Sequence, residues 1–111
     1  MARTTFSGPV VSTNGFIAGS GATITKVLTA TASLNFPSIS AAGQQDLTIS
    51  VPGAAVGDEV VMSLPAAPTA GLVFNAFVSA TDTVTVRASN ITASPVDPAA
   101  ATFGVIVLGA A

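Results

Sequence analysis

The chain contains no cysteine, no histidine, no tryptophan and no tyrosine. Without cysteine there is no disulfide, no thiolate nucleophile and no thiolate metal site. Without histidine the usual general base and the commonest transition-metal ligand are gone. Charge is scarce as well: 7% of residues are charged, against about 25% in an ordinary soluble domain. The cations are Arg3, Lys26 and Arg87. Three scattered positive charges build neither the phosphate-neutralising patch of a nucleic-acid binder nor a polybasic membrane patch. The acids are Asp46, Asp58, Glu59, Asp82 and Asp97, giving a net charge of −2. Long hydrophobic runs are missing too, although half the residues are hydrophobic and the mean hydropathy is +0.74. A spanning helix needs ~20 consecutive apolar residues. Every apolar run here is interrupted by Thr, Ser, Gly, Pro or Asn, and the terminal "FGVIVLGAA" is too short to span as a helix. The start, "MARTTFSGPVV", has one Arg and no apolar core of a signal peptide. The expectation is a protein made in the cytosol and not exported by that route.

What remains, in 111 residues, is one domain with a modest core. So little charge leaves a lone monomer poorly protected against association. Its surface has to be Thr, Ser, Ala and Gly with some apolar residues. Such a surface suits an oligomer or a lattice, where neighbours cover it, better than a monomer kept soluble by hydroxyls.

The dominant period is two. From Ile24 to Phe36 the even positions are mostly apolar and the odd ones mostly hydroxyl, as in a half-buried strand. Lys26 and Val27 break the two faces. The run is long for one strand, so a bend or split is expected around Thr29 to Ala32. Leu47, Ile49 and Val51 form another apolar face. In "DTVTVRAS", Val84 and Val86 face in, and Thr83, Thr85 and Arg87 face out. "EVVMSL" and "GLVFNAFV" are less cleanly split and are expected to be covered on both faces. "TFGVIVL", Thr102 to Leu108, closes the series. No window supports a long helix. Pro37, Pro52, Pro65, Pro68, Pro95 and Pro98 all fall between apolar runs. "TNG", Thr13 to Gly15, suits a tight hairpin turn. "PGAAVGD" reads as a loop with room for one helical turn, and "ATD" as a short hairpin connection. The fold expected is an all-β, compact antiparallel β-sandwich, jelly-roll-like. Residues 23–111 form the domain. Residues 1–22 are either an extended N-terminal arm, with Phe6 and Phe16 as anchors, or an edge hairpin.

The constellations of catalysis fail one by one. Ser and Thr are plentiful but have no base beside them. Lys26 is the sole lysine and sits in no Ser–Lys motif. Asp58 and Glu59 are adjacent, so on a strand they point to opposite faces rather than across a sugar. They read as a turn exit at an exposed strand edge, where acids discourage edge pairing. The acids are too sparse for a calcium loop. "GSGA" lacks the lysine and the strand–helix context of a phosphate loop. "NIT", Asn90 to Thr92, matches a glycosylation sequon by chance in this context. No cofactor or metal is expected, and no enzyme. Arg87 reads as a solvated strand residue, with pairing to an acid on a neighbouring strand as the alternative. Phe77, opposite in face to Phe74, is either an exposed contact residue or part of a second core layer.

The stretch from "LTISVPGAAVGDEV" to "FGVIVL" resembles a domain of small virion proteins of tailed bacteriophages. It matches the pattern "L-x-V-PGA-x-VGD-x-V…GL-x-x-x-A-x-VS-x-x-x-TVTVR-x-x-N…(I/V)DP-x-x-x-T-(F/W)-x-V-x-V". The shared positions include Pro52, Gly53, Val56, Gly57, Asp58, Gly71, Leu72, Val78, Ser79, Thr83 to Arg87, Asn90, Asp97, Pro98, Thr102, Val105 and Val107. "TTFSGPVVSTNGF" is similar to the N-termini of phage head proteins encoded near the capsid gene. The resemblance implies a capsid decoration (cement) protein on the outer surface of the virion. It would bind the major capsid protein and self-associate as a homotrimer. Phe6, Phe16, Phe77 and Arg87 are the candidate assembly residues. The alternative is a receptor- or glycan-binding fibre tip. Many fibre-type members carry Gly-rich spacers before this domain, and this chain has none. A small hydrolase is the third reading.

Overall fold

Alternation of apolar and hydroxyl side chains becomes seven strands in a computed structural model that describes residues 3–110. They are β1 (Phe16–Ile17), β2 (Thr23–Leu34), β3 (Gln44–Ser50), β4 (Glu59–Ser63), β5 (Leu72–Ala80), β6 (Thr83–Asn90) and β7 (Ala101–Ala110). Met1 and Ala2, at the tip of the expected arm, and Ala111 at the domain's end lie outside the described residues. Every strand pair is antiparallel. One sheet has the order β1-β2-β7-β4 and the other β3-β6-β5. Apart from the hairpins β1–β2 and β5–β6, each connection crosses from one sheet to the other. The pairs nest, β2 with β7 in one sheet and β3 with β6 in the other. That wiring is compatible with a seven-stranded antiparallel β-sandwich.

The even-numbered face of β2 turns inward, as the alternation requires. Leu34 joins Ile49, Val78, Val84, Val86, Phe103, Val105 and Val107 in one core drawn from both sheets. Its largest pieces are three rings. Phe36, in the β2–β3 connection, lies 5.9 Å from Phe74 of β5 and 6.0 Å from Phe103 of β7. Phe74 and Phe103 are 5.2 Å apart. Tilted and edge-on pairs of this kind add about 0.5–1.5 kcal/mol each beyond their buried area. They tie the two sheets to the connection between them.

Several expectations are corrected. β2 does not bend at Thr29 to Ala32; its register shift lies between Ile24 and Lys26. The strand stays whole because β7 accompanies it from Ile24 to Leu34. β4 and β5 are not covered on both faces. Val61, Val73 and Phe77 point outward and remain exposed, because no described element covers the outer faces of β4 and β5. Phe77 therefore belongs to no second core layer. Thr85 faces out yet is buried, because β6 is the central strand of its sheet and Ser79 accepts its hydroxyl at 2.7 Å. The loop after Pro52 holds two turns and no helical turn. The Thr13–Gly15 turn joins no two strands, since the chain before it lies in none. Gly15 has φ +90°, and a Cβ there would collide with the Ile24 carbonyl. Before the turn, Val10 and Ser12 lie beside β2, where they line a concavity with Ile24, Thr25, Lys26 and Val27.

At one end of the sandwich the crossing connections converge on Asn90, the last residue of β6 and only 2% exposed. Its Nδ2 donates to the carbonyls of Ile39, Ser40 and Ser94 at 3.0, 3.2 and 2.8 Å. Its Oδ1 accepts from the Thr92 amide at 2.9 Å and the Thr92 hydroxyl at 2.7 Å. A side chain so engaged is closed to glycosylation in the folded state. Asn90→Leu fits the site's size but strands these partners. It is expected to cost about 3 kcal/mol in chemical denaturation. Loss of less than about 1 kcal/mol would show that water replaces the amide there.

Candidate functional site

The candidate assembly residues separate into two groups. Phe77 and Arg87 come together on the outer face of the three-stranded sheet. Register puts Asp46, Arg87 and Asn75 in one row across β3, β6 and β5, and Thr48, Thr85 and Phe77 in the next. Arg87 is not a freely solvated residue. Its Nε and Nη2 donate to Asp46 Oδ1 and Oδ2 at 2.9 and 3.0 Å. This fork-on-carboxylate pairing fixes the guanidinium plane in a way lysine could not. Its Cζ lies 5.3 Å from the centre of the Phe77 ring, within cation–π range. Phe77 stays 40% exposed. The result is an Asp46–Arg87–Phe77 array bordered by Gln44, Thr48, Val73 and Asn75. Asp46 was missed in the sequence because its partner is forty-one positions away. Only the β3–β6 register brings the two together.

Phe6 and Phe16 lie elsewhere. Phe16, in β1, pairs with Ile24 at the edge of the four-stranded sheet and is exposed. Phe6 precedes β1 in no strand and is 66% exposed.

Asp58 and Glu59 part company, as their adjacency requires. Glu59 opens β4 and faces solvent. Asp58 turns back into the loop. Its Oδ2 accepts from the Ala55 amide at 2.9 Å and from Lys26 Nζ at 2.8 Å. Lys26 also donates to the Gly53 carbonyl at 2.8 Å. Lysine is thus tolerated on the inner side of β2 because it lies at the sandwich end, where its head reaches the loop. Its stem runs over Gly109, whose hydrogen leaves the room; a Cβ there would lie 2.4 Å from Lys26 Cε. From the β5–β6 turn, Asp82 Oδ1 accepts from the Gly53 amide at 2.8 Å. Residues 51–58 are pinned from both sheets.

Chemically, Asp46, Asp58 and Asp82 are occupied by holding loops and strands. Hydrogen bonds from Lys26 and Ala55, aided by the charge of Lys26, hold the Asp58 carboxyl below its ordinary 3.8. Those from Arg87, with its charge, do the same for Asp46, and in return Arg87 is raised. Among the described residues no cluster of three acids could hold a metal ion. Two concavities on the body of the sandwich differ in kind. One, of about 210 Å³, lies beside the three core rings under Pro65, Pro68 and Pro98. The other, of about 340 Å³, is a groove on the outer face of the four-stranded sheet around Gly104.

The two lowered carboxyls determine the acid limb of stability. Unfolded, they titrate near their ordinary value, so the unfolded chain takes up protons first as pH falls. The stability they supply is present above about pH 4 and is lost as pH falls through the folded values. Thermal melts are expected to be flat near neutrality and to drop on acidification. Asp58→Asn is expected to lower the melting temperature at neutral pH and to flatten that drop. An unchanged acid limb in Asp58→Asn would mean the Lys26 contact does not hold the loop.

Compared with known proteins, the chain matches no family model, no curated protein and no solved structure.

Proposed function

We propose that this chain is a structural virion protein that binds the outside of an icosahedral phage head and stabilises it by bridging capsid subunits. The reading rests on the motif resemblance, and one structural observation carries it further. The outer face of the three-stranded sheet presents Phe77 held against Arg87, itself locked by Asp46, among neutral side chains. Aromatic residues and arginine dominate the anchors of protein–protein contacts. Here the guanidinium already has its carboxylate and ring partners before binding, which lowers the ordering cost. The rest of that face is hydroxyl, amide and apolar, a surface for close packing rather than for steering a charged ligand. Each copy is taken to touch more than one shell subunit and to self-associate, as a homotrimer. Disrupting the shell then requires breaking these added contacts together. The site of action is the outer surface of the virion, with the major capsid protein as partner. Neither a nucleic acid nor a membrane enters the reading.

The test is sedimentation with expanded, undecorated capsids. Stoichiometric co-sedimentation and a higher shell-disruption temperature are expected. Phe77→Ser and Arg87→Ala are each expected to weaken binding about tenfold or more, with the fold's circular dichroism unchanged. A protein that stays in the supernatant while the shells melt unchanged would end this reading for that capsid. Binding to immobilised host glycans in its place would favour the fibre tip.

A further inference from the structure

The other sheet carries a second surface of different character. Register aligns Val27, Leu108 and Glu59 in one row across the outer side of β2, β7 and β4. Thr29, Ile106 and Val61 form the next row, and Thr31, Gly104 and Ser63 the one after. Val27, Val61 and Ile106 are exposed apolar side chains on one continuous face. Gly104 makes a dip in it. A Cβ built there would meet Ser63 and Thr31 only at 3.5 Å, ordinary contact. The groove of about 340 Å³ is this dip with its walls.

The N-terminal segment has the complementary character. Phe6, Val10 and Val11 are 66%, 62% and 90% exposed. Among the described residues the first hydrogen bonds of the chain are those of the Ser12–Gly15 turn. Val10 and Ser12 lie beside Ile24 to Val27 of their own β2, but no residue of the segment lines its own groove, whose lining begins at Thr29. The chain extends 57 Å along its longest axis, more than the roughly 40 Å spanned by β2. Its radius of gyration is 17.5 Å, against about 13 Å for a compact chain of this length. Charge matches as well. The salt bridges among the described residues use Lys26 and Arg87, and Arg3 enters neither. Glu59 stands exposed at the end of the groove face, also in neither. From Glu59 to the Ser63 row is about 13 Å of strand, and Arg3 to Phe6 spans about 10 Å of extended chain. The remaining gap is within the reach of an arginine side chain.

We propose that the N-terminal segment of one copy seats on the four-stranded sheet of a second copy of this chain. Phe6 fills the dip at Gly104 and Arg3 meets Glu59. The contact needs no shell, so it stands or falls separately from capsid binding.

The absence of cysteine makes the test direct. Thr4→Cys and Thr29→Cys chains, which keep the Phe6 ring and lie one row nearer Glu59, are prepared separately, mixed and oxidised. A disulfide between the two kinds, in excess over like-with-like pairs, is the expected product. In sedimentation equilibrium of the full chain, Arg3→Glu and Glu59→Arg are each expected to weaken self-association about fivefold. Together they are expected to restore it to within about twofold. Gly104→Leu is expected to weaken it about tenfold or more. Phe6→Ser does the same from outside the sheets and covers the case in which Gly104→Leu fails to fold. A native chain that is monomeric at every concentration overturns the proposal. So do self-association indifferent to these changes, and a Thr4→Cys chain that cross-links to capsid but never to Thr29→Cys.

Discussion

A chain that repeatedly crosses between two sheets must leave carbonyl groups at the crossings, and those groups need donors. Asn90 supplies them at one end of the sandwich. One buried amide holds the β2–β3 connection through Ile39 and Ser40 and the β6–β7 connection through Ser94. The bridge between Ile39 and Val96 then closes the two connections on each other, with both amides bonded at 2.8 and 2.9 Å. Among the described residues no buried side-chain polar atom is left without a partner. In a domain with so little charge, this amide does what a buried ion pair does elsewhere, without the desolvation cost of charges.

The opposite end is closed differently, by partly exposed ions. Lys26 and Asp58 bind each other and the backbone of the loop between β3 and β4, and Asp82 ties that loop to the β5–β6 turn. Solvent screens such pairs, so each contributes little alone. Their value lies in number and in the backbone groups they satisfy. The two ends therefore differ in kind. One is insensitive to salt and pH, and the other responds to both.

Strand existence, core faces and most turns were legible in the residues because period-two alternation survives wherever one face is buried. Ile24 to Phe36 and Leu47 to Val51 are the clear cases. Legibility failed where the solvent side is also apolar. Val61, Val73 and Phe77 made β4 and β5 read as doubly covered, yet each strand has one open face. The same failure marks the surfaces of interest, since an apolar residue on an open sheet face is what a covered interface would need. Pairings between distant strands were not legible at all. Asp46 finds Arg87, and Asn90 finds Ile39, only through register and crossing connections that no local pattern encodes. Of the candidate residues, Phe77 and Arg87 meet on one face, while Phe6 and Phe16 lie along the N-terminal side of the molecule.

The sandwich thus has two outer faces of different chemistry on one rigid body. The three-stranded sheet offers a ring and a locked guanidinium. The four-stranded sheet offers a neutral apolar groove with one acid at its border. The same face cannot be filled by two partners at once, but opposite faces can. Bridging requires this: a body that holds one neighbour while held by another, with no flexible joint between the contacts to dilute their effective concentration. Because Lys26 and Arg87 are already paired within the fold, long-range attraction contributes little to either contact. Under the proposed reading, association would then depend mainly on shape and apolar burial, which salt leaves intact. A short N-terminal segment that carries its own cation beyond the body adds the one long-reaching charge such a surface otherwise lacks.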